Sequence, residues 1–343
     1  MRKINFLYLL ASAAVLFAVG CNRNAAPEAP KGVANLTVTI NGAAPTKAVG
    51  ITDAQENAVN SLQVFVFDNE GAYEIDGYID KSMLSDPNAN ITKIALSCKQ
   101  GQKSIWAIVN CPKLESINSA SVLKTHVINL ADNDFGSFVM VGNRDYTLGG
   151  TTNVDVEVNR VVGRILVKKI TKAFSVAANQ EKEFKIRAIY VDNAQGRNSL
   201  GLDAFQAADG VWYNKMAYTA SEADKFLYSS VDQVVAASHE VEYRFYAMPN
   251  DSNVNDWGGQ WSKRFTRLVI ETELAGEVLY YPINIDKGHG FENNKSYEFE
   301  EIIITKKGSS APDEPVTSED ISFTVNVQPW TPQLLGENGV YTF

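Results

Sequence analysis

The chain has 343 residues, 45% of them hydrophobic, with 31 Lys and Arg against 40 Asp and Glu for a formal net charge of -9. That length exceeds what one compact core usually holds, so two domains are expected. The acidic balance and the absence of a long Lys/Arg cluster exclude a nucleic-acid partner, because nothing would offset the charge along a phosphate backbone.

Residues 1–20 form a targeting segment, in which Arg2 and Lys3 precede the apolar run LYLLASAAVLFAVG. The run is too short and too cleanly ended for a stable membrane span. It closes on Ala18-Val19-Gly20-Cys21, which resembles a bacterial lipobox, where small residues precede a Cys that is acylated and becomes the new N-terminus. Acyl chains contribute roughly 0.8 kcal/mol per buried methylene, so they would hold the chain at a membrane. The alternative is a plain secretory signal with an incidental Cys. A Pro/Ala/Asn tether, NRNAAPEAPKG, follows without periodicity.

VANLTVTI then alternates, with Leu36, Val38 and Ile40 on one side and Asn35, Thr37 and Thr39 on the other, the pattern of a half-buried strand. The loop from Gly42 to Gly50 carries a lone basic residue, Lys47, among small ones, the kind of loop a trypsin-like protease cuts. Cleavage between Lys47 and Ala48 would detach the strand. A helical turn at DAQENAVN leads into SLQVFVFDNEG, whose continuous β-branched and aromatic run predicts a strand buried on both faces, closed by turn residues. Further strands are expected at Ile91 to Ser97, Lys103 to Asn110, Phe138 to Gly142 and Asn153 to Asn159, with one helix from Lys113 to Lys124. Cys98 falls by the turn of a hairpin and Cys111 at the far end of its strand. At about 3.3 Å per residue the two lie more than about 20 Å apart, beyond the roughly 7 Å limit for a disulfide, so two buried free thiols are expected.

NVDVEVNRVVGRILVKKI is long for one strand and is interrupted at Arg160 to Gly163, which sets a domain boundary there. EFKIRAIYVDN, EVEYRFYAM, RFTRLVIETEL, EVLYYPINI and KSYEFEEIIITK are strand-like and separated by turn clusters. Strands dominate both halves, so tandem β-sandwiches are the economical reading. KKGSSAPDEPVTSED reads as a linker. In ISFTVNVQPW, Ile321, Phe323, Val325 and Val327 share one face, copying the spacing of the first strand.

No converging set of reactive groups suggests an enzyme. His126, His239 and His289 are scattered without metal-ligand spacing, so neither metal nor cofactor is expected. Ala131 to Gly136 (ADNDFG) lacks the alternating oxygens and distal Glu of a calcium loop and reads as a turn. In NDWGGQW, Trp257 and Trp261 could offer stacking faces to a sugar, or serve as packing anchors.

Taken together, Cys21, Lys47, VNSLQVFVFDNEG, NRVVGRILVKKI, and NNKSYEFEEIIIT followed by the acidic linker and ISFTVNVQPW resemble the fimbrillin family, the lipoprotein-derived pilins often called type V of Gram-negative anaerobes. The resemblance implies an all-β fold of two tandem β-sandwich (transthyretin-like) domains with few short helices and a C-terminal donor strand. It implies export as an outer-membrane lipoprotein acylated on Cys21, then surface proteolysis after the first strand, and finally polymerisation by strand exchange into a fimbrium. Well-known members are cut after Arg, whereas this chain offers Lys47. The segments expected are a signal peptide 1–20, a propeptide 21–47 carrying Leu36, Val38 and Ile40, domains 48–159 and 160–307, and a linker with donor strand 308–343. Ile321, Phe323, Val325 and Val327 would fill a neighbour's groove and contribute nothing to their own core. Expected partners are further copies, other fimbrial subunits, the outer membrane before processing, and a host or bacterial surface ligand. The alternatives are a non-polymerising anchor or tip component and a surface glycan-binding lipoprotein.

Overall fold

A computed structural model describes residues 32–41, 55–86, 91–202, 212–213, 224–250, 265–285, 290–316, 321–330 and 341–342. Cys21, Lys47, Ala48, Trp257, Trp261 and His289 lie outside these described residues. The fold is dominated by strands, as the alternating and continuous apolar runs dictate.

In the first half the strands are β1 (Val33–Asn41), β2 (Ser61–Asp68), β3 (Tyr73–Asp80), β4 (Lys93–Lys99), β5 (Gly101–Val109), β6 (Met140–Leu148) and β7 (Thr151–Glu157). They form two sheets, ordered β4-β1-β7 and β3-β2-β5-β6, with Tyr341–Thr342 added on the far side of β4 and Asn159–Arg160 on β6. The second half contains β8 (Gly163–Val167), β9 (Ile170–Lys172), β10 (Phe184–Asp192), β11 (Tyr228–Val234), β12 (Tyr243–Ala247), β13 (Arg267–Leu274), β14 (Glu277–Asn284), β15 (Lys295–Ile304) and β16 (Ile321–Pro329). β13 and β14 are joined by a two-residue turn in which Ala275 and Gly276 both take positive φ, 52° and 87°, matching the twist of the flanking strands.

The strand order repeats. β8 and β9 together lie parallel to β15, as β1 lies parallel to β7, and β8 is antiparallel to β12 as β1 is to β4. The other sheet of the second half runs β11-β10-β13-β14, the counterpart of β3-β2-β5-β6. β16 is the exception: it adds to the outer edge of β15, where the first half has nothing beside β7 among the described residues.

The apolar core is not divided in the same place. One cluster fills the space between the two sheets of the first half, uniting Leu36, Val38 and Ile40 with Leu62, Val64, Val66, Ile105 and Val156. A second runs through the other half and also takes in Phe65, Phe67, Trp106 and Ile108, the opposite face of β2 and β5. The continuous run SLQVFVFD is therefore buried on both faces because each face meets a different core.

Two expectations change and one strand was missed. The helix expected from Lys113 is only Ala120–Thr125 (α1), capped by Ser119. Pro112 supplies no N–H, Ser116 adopts φ 62°, and the Leu114 N–H is held by the Gln63 side chain at 2.9 Å, so residues 112–118 are tied to β2 instead. β3 was not legible as a strand, because YEIDGYID mixes apolar and acidic residues at a sheet edge. The start of the segment expected to be a free linker lies against β14: Ser309 and Tyr280 exchange backbone hydrogen bonds at 2.9 Å, and a Cβ on Gly308 would stand 2.4 Å from the Tyr280 carbonyl oxygen.

Cys98 and Cys111 are both buried free thiols, as the hairpin geometry requires. Burial pushes Cys98 up to about 11 and Cys111 up to about 12, so neither is a thiolate at neutral pH. A thiol reagent should label neither cysteine in the native protein and both in denaturant. Mass spectrometry detects a disulfide or native labelling if the expectation is wrong.

Candidate functional site: the first strand and the C-terminal strand

β1 is held on both edges. It pairs antiparallel with β4 from Val33↔Lys99 to Thr39↔Lys93, and parallel with β7 from Asn35↔Thr151 to Asn41↔Glu157. Its alternation turns Ala34, Leu36, Val38 and Ile40 inward, where all four are fully buried, and leaves Asn35 and Asn41 exposed. Burying Leu36, Val38 and Ile40 at about 1.5–3 kcal/mol each contributes roughly 5–9 kcal/mol. Taking β1 away would open an apolar groove between β4 and β7 and strand two rows of backbone donors and acceptors. Since β4 and β7 run in opposite directions, a strand entering either way would find one parallel and one antiparallel partner.

β16 presents a similar stripe in a different setting. It pairs antiparallel with β15 from Lys295↔Pro329 to Ile304↔Ile321, with a register shift between Phe299 and Ile302. Ile321 is 3% exposed, but Phe323 is 36% and Val327 48% exposed, with Val325 half-buried. These side chains face the core side of β15, yet the edge position carries them beyond the cover of the opposite sheet. Phe323 meets only the rim of the core, its ring 5.6 Å from that of Phe299. The expectation that this strand adds nothing to its own core is corrected, most clearly at its ends, because Ile321 and the following Trp330 both belong to the second core cluster and Val325 packs against it.

Trp330 closes a buried cage of charged groups. The Glu56 carboxylate accepts from Arg164 Nη1 at 2.7 Å, Arg244 Nη1 at 3.0 Å, the Tyr246 hydroxyl at 2.5 Å and Trp330 Nε1 at 3.3 Å. Arg160, 0% exposed, donates to the carbonyls of Glu56 (Nη2, 2.9 Å) and Trp330 (Nη1, 2.5 Å) and to Asn57 Oδ1. The Arg160 guanidinium lies 4.0 Å and that of Arg164 5.1 Å from the centre of the Trp330 ring. Such contacts contribute about 2 kcal/mol where the cation is desolvated. Burial, then the Glu56 carboxylate, pushes the Tyr246 hydroxyl well above its ordinary value. Sequence reading missed this cage because its members are up to 274 residues apart. The only local signal was a charged residue, Arg160 or Arg164, on each side of an apolar run.

A second polar tie joins β16 to β15. Burial alone would raise the Glu298 carboxyl, but hydrogen bonds from Gln328 and Ser296 and the charges of Lys168 and Arg164 hold it below its usual range.

Other candidates are accounted for structurally. Asp132 accepts from the Asn129 backbone N–H at 2.6 Å and Asp134 pairs with Lys225 at 2.9 Å, so the ADNDFG run is a turn with its oxygens engaged. His239 Nε2 lies 2.7 Å from the Tyr243 hydroxyl. Among the described residues no three His, Cys, Asp or Glu side chains gather as a metal site would require.

Residues 34–159 match the family model described as major fimbrial subunit protein (FimA). No curated protein matches the chain. Among solved structures, a fimbrilin from Porphyromonas gingivalis aligns with a TM-score of 0.63 at 14% identity, covering 88% of this chain and 98% of that one. A putative cell adhesion protein from Parabacteroides distasonis aligns with a TM-score of 0.60 at 20% identity over 87% of this chain and 99% of that one. The tip fimbrial protein of Porphyromonas gingivalis, with a C-terminal truncation, aligns at 0.53 and 14% identity over 87% and 100%. The fimbrillin resemblance thus rests on the match across the first half, and the likeness of fold extends over most of the chain.

Glu298 gives a pH-dependent test. A carboxyl lowered in the folded state stabilises above its unfolded value near 4.5, and that contribution is lost as pH falls through the folded value. Glu298→Gln should cost about 1.5–3 kcal/mol at neutral pH. Thermal melts of the two proteins should converge as the pH is lowered past 4.5 and through the lowered folded-state value; a pH-independent gap between them contradicts the assignment.

Proposed function

We propose that this chain is a structural subunit of a cell-surface fimbria, joined to other subunits by strand exchange. In this reading it is exported as an outer-membrane lipoprotein acylated on Cys21 and then cut between Lys47 and Ala48. Residues 21–47 depart with β1. The groove between β4 and β7 takes up residues 321–327 of a neighbouring copy, leaving domains 48–159 and 160–307 as the body of each subunit. The family match over residues 34–159 supports a structural, non-enzymatic role at the cell surface in association with other fimbrial subunits.

The observation that carries the reading is the contrast between two strands of matching alternation. β1 is fully buried at four alternate positions, near the start of the chain and just before the loop that holds Lys47. β16 sets Ile321, Phe323, Val325 and Val327 at the same spacing but leaves Phe323 and Val327 substantially exposed at a sheet edge. An edge strand with an uncovered apolar stripe recruits a partner surface, and donor-strand addition is a recognised mode of such pairing. The geometry favours a subunit that both loses a strand and offers one.

N-terminal sequencing of protein recovered from surface fibres should read Ala48; fibres whose subunits begin at Cys21 would contradict the mechanism. Labelled fatty acid should enter the wild-type precursor and not Cys21→Ala. Phe323→Asp should yield a folded, cleaved monomer without fibres, because a carboxylate would enter the apolar groove unpaired. Circular dichroism checks the fold and electron microscopy the fibres; normal fibres from this variant would mean that another segment fills the groove.

A further inference from the structure

We infer that Glu56, Arg160, Arg164 and Trp330 form a latch that parks residues 321–330 on their own subunit, so that cutting the loop and freeing the strand are two separable steps. This rests on the reading that residues 321–327 are donated. β16 is clamped at its two ends and open between them: Ile321 and Trp330 are buried, whereas Phe323 and Val327 are exposed. Leaving its own sheet therefore costs the middle of the strand less apolar contact than its ends, namely the packing of Val325 on the core and of Phe323 on Phe299. The hold is concentrated at Trp330, which the backbone of Asn294, the carboxylate of Glu56 and the guanidinium of Arg160 all engage.

The chemistry of the cage suits a closure that opens. Trp330 lies over two guanidiniums and beside the rings of Phe138 and Tyr246, 5.7 Å and 5.5 Å away; when it departs water can reach Arg160 and Arg164 and replace what the guanidiniums lose, while the two rings lose an apolar neighbour. A lid over purely apolar surface would have no such compensation. Glu56 is the shared counter-charge of Arg164 and Arg244, and it sits in the short segment between the Lys47 loop and β2. The strand to be donated is thus fastened to residues that remain with the subunit after cleavage at Lys47. Cleavage alone would leave the latch closed, and a cleaved subunit would still carry its own β16.

The test uses the uncut full-length chain, in which β1 occupies its groove and no exchange can occur. Hydrogen exchange followed by mass spectrometry should show those amides of residues 321–328 that face β15 protected in the wild type. Trp330→Ala should raise their exchange rate at least tenfold, with β1 to β7 unchanged. If Trp330→Ala fails to fold, Glu56→Gln, which keeps the shape and removes the charge, serves in its place and should raise the same rates. Unchanged protection of 321–328 in a folded variant overturns the latch. Cleaved Glu56→Gln should also assemble faster than cleaved wild type, and equal or slower assembly overturns the link between latch and exchange. If no cleaved protein forms fibres, the fimbrial reading fails, while the exchange result on the uncut chain still decides whether the latch exists.

Discussion

The structure depends on a strand that is locally dispensable to chain connectivity and yet indispensable to a core. β1 pairs with β4 and β7 and not with β2, the strand that follows it in the chain, so it could be removed by a single backbone cut without disturbing the order of the remaining strands. Its four inward side chains nevertheless complete the space between the two sheets of the first half, and both its edges are hydrogen-bonded. Burial of that kind and free edges on either side cannot both be left unmet. Whatever removes β1 must therefore be followed by another strand in its place or by collapse of the half it belongs to.

The duplicated strand order explains where a replacement could come from. In the second half the position equivalent to β1 is filled by β8 and β9, which sit in mid-chain and stay in place. The additional strand, β16, has no equivalent in the first half among the described residues and follows the last strand of the repeat. β1 is thus a strand that the cleaved form would lose, and β16 a strand beyond those of the repeat. The charged cage around Trp330 adds a counterweight. Buried ion pairs are costly to assemble and costly to break singly, so they fix an arrangement more than they stabilise it. Here they fix the end of the C-terminal strand to the seam where both halves meet, since Glu56 precedes β2 and Arg160 and Arg164 flank the start of β8.

Much of the fold was legible because periodicity reports local environment. VANLTVTI alternates and is half-buried; SLQVFVFD does not alternate and is buried twice over; both follow from side chains pointing to opposite faces at successive residues. The hairpin that separates Cys98 from Cys111 was equally local. What failed was local pattern overruled by distant partners: the helix shortened because Gln63 captured Leu114, and the start of the linker is held because Tyr280 pairs with Ser309. For the candidate site, the matching stripes of β1 and β16 could be read directly, whereas their unequal burial could not, because edge position is a property of the assembled sheet. The Trp330 cage was invisible for the same reason. Its residues come from four separate segments, and none of them is unusual in its own neighbourhood.

The exchange of strands is tested most directly by covalent capture inside a fibre. Ala95 on β4 lies opposite Thr37 of β1, on the half-exposed face of the sheet, so a cysteine there would sit beside any strand that replaces β1. Paired with a single cysteine at Ser322, Thr324 or Asn326, on the polar side of β16, it should give intermolecular disulfides in assembled fibres for at least one of the three positions. Denaturing gels without reductant would then show a ladder of covalent oligomers that collapses to monomer when reductant is added. Fibres that form normally while none of the three pairs cross-links would contradict the account, because β4 would then have a neighbour other than the C-terminal strand.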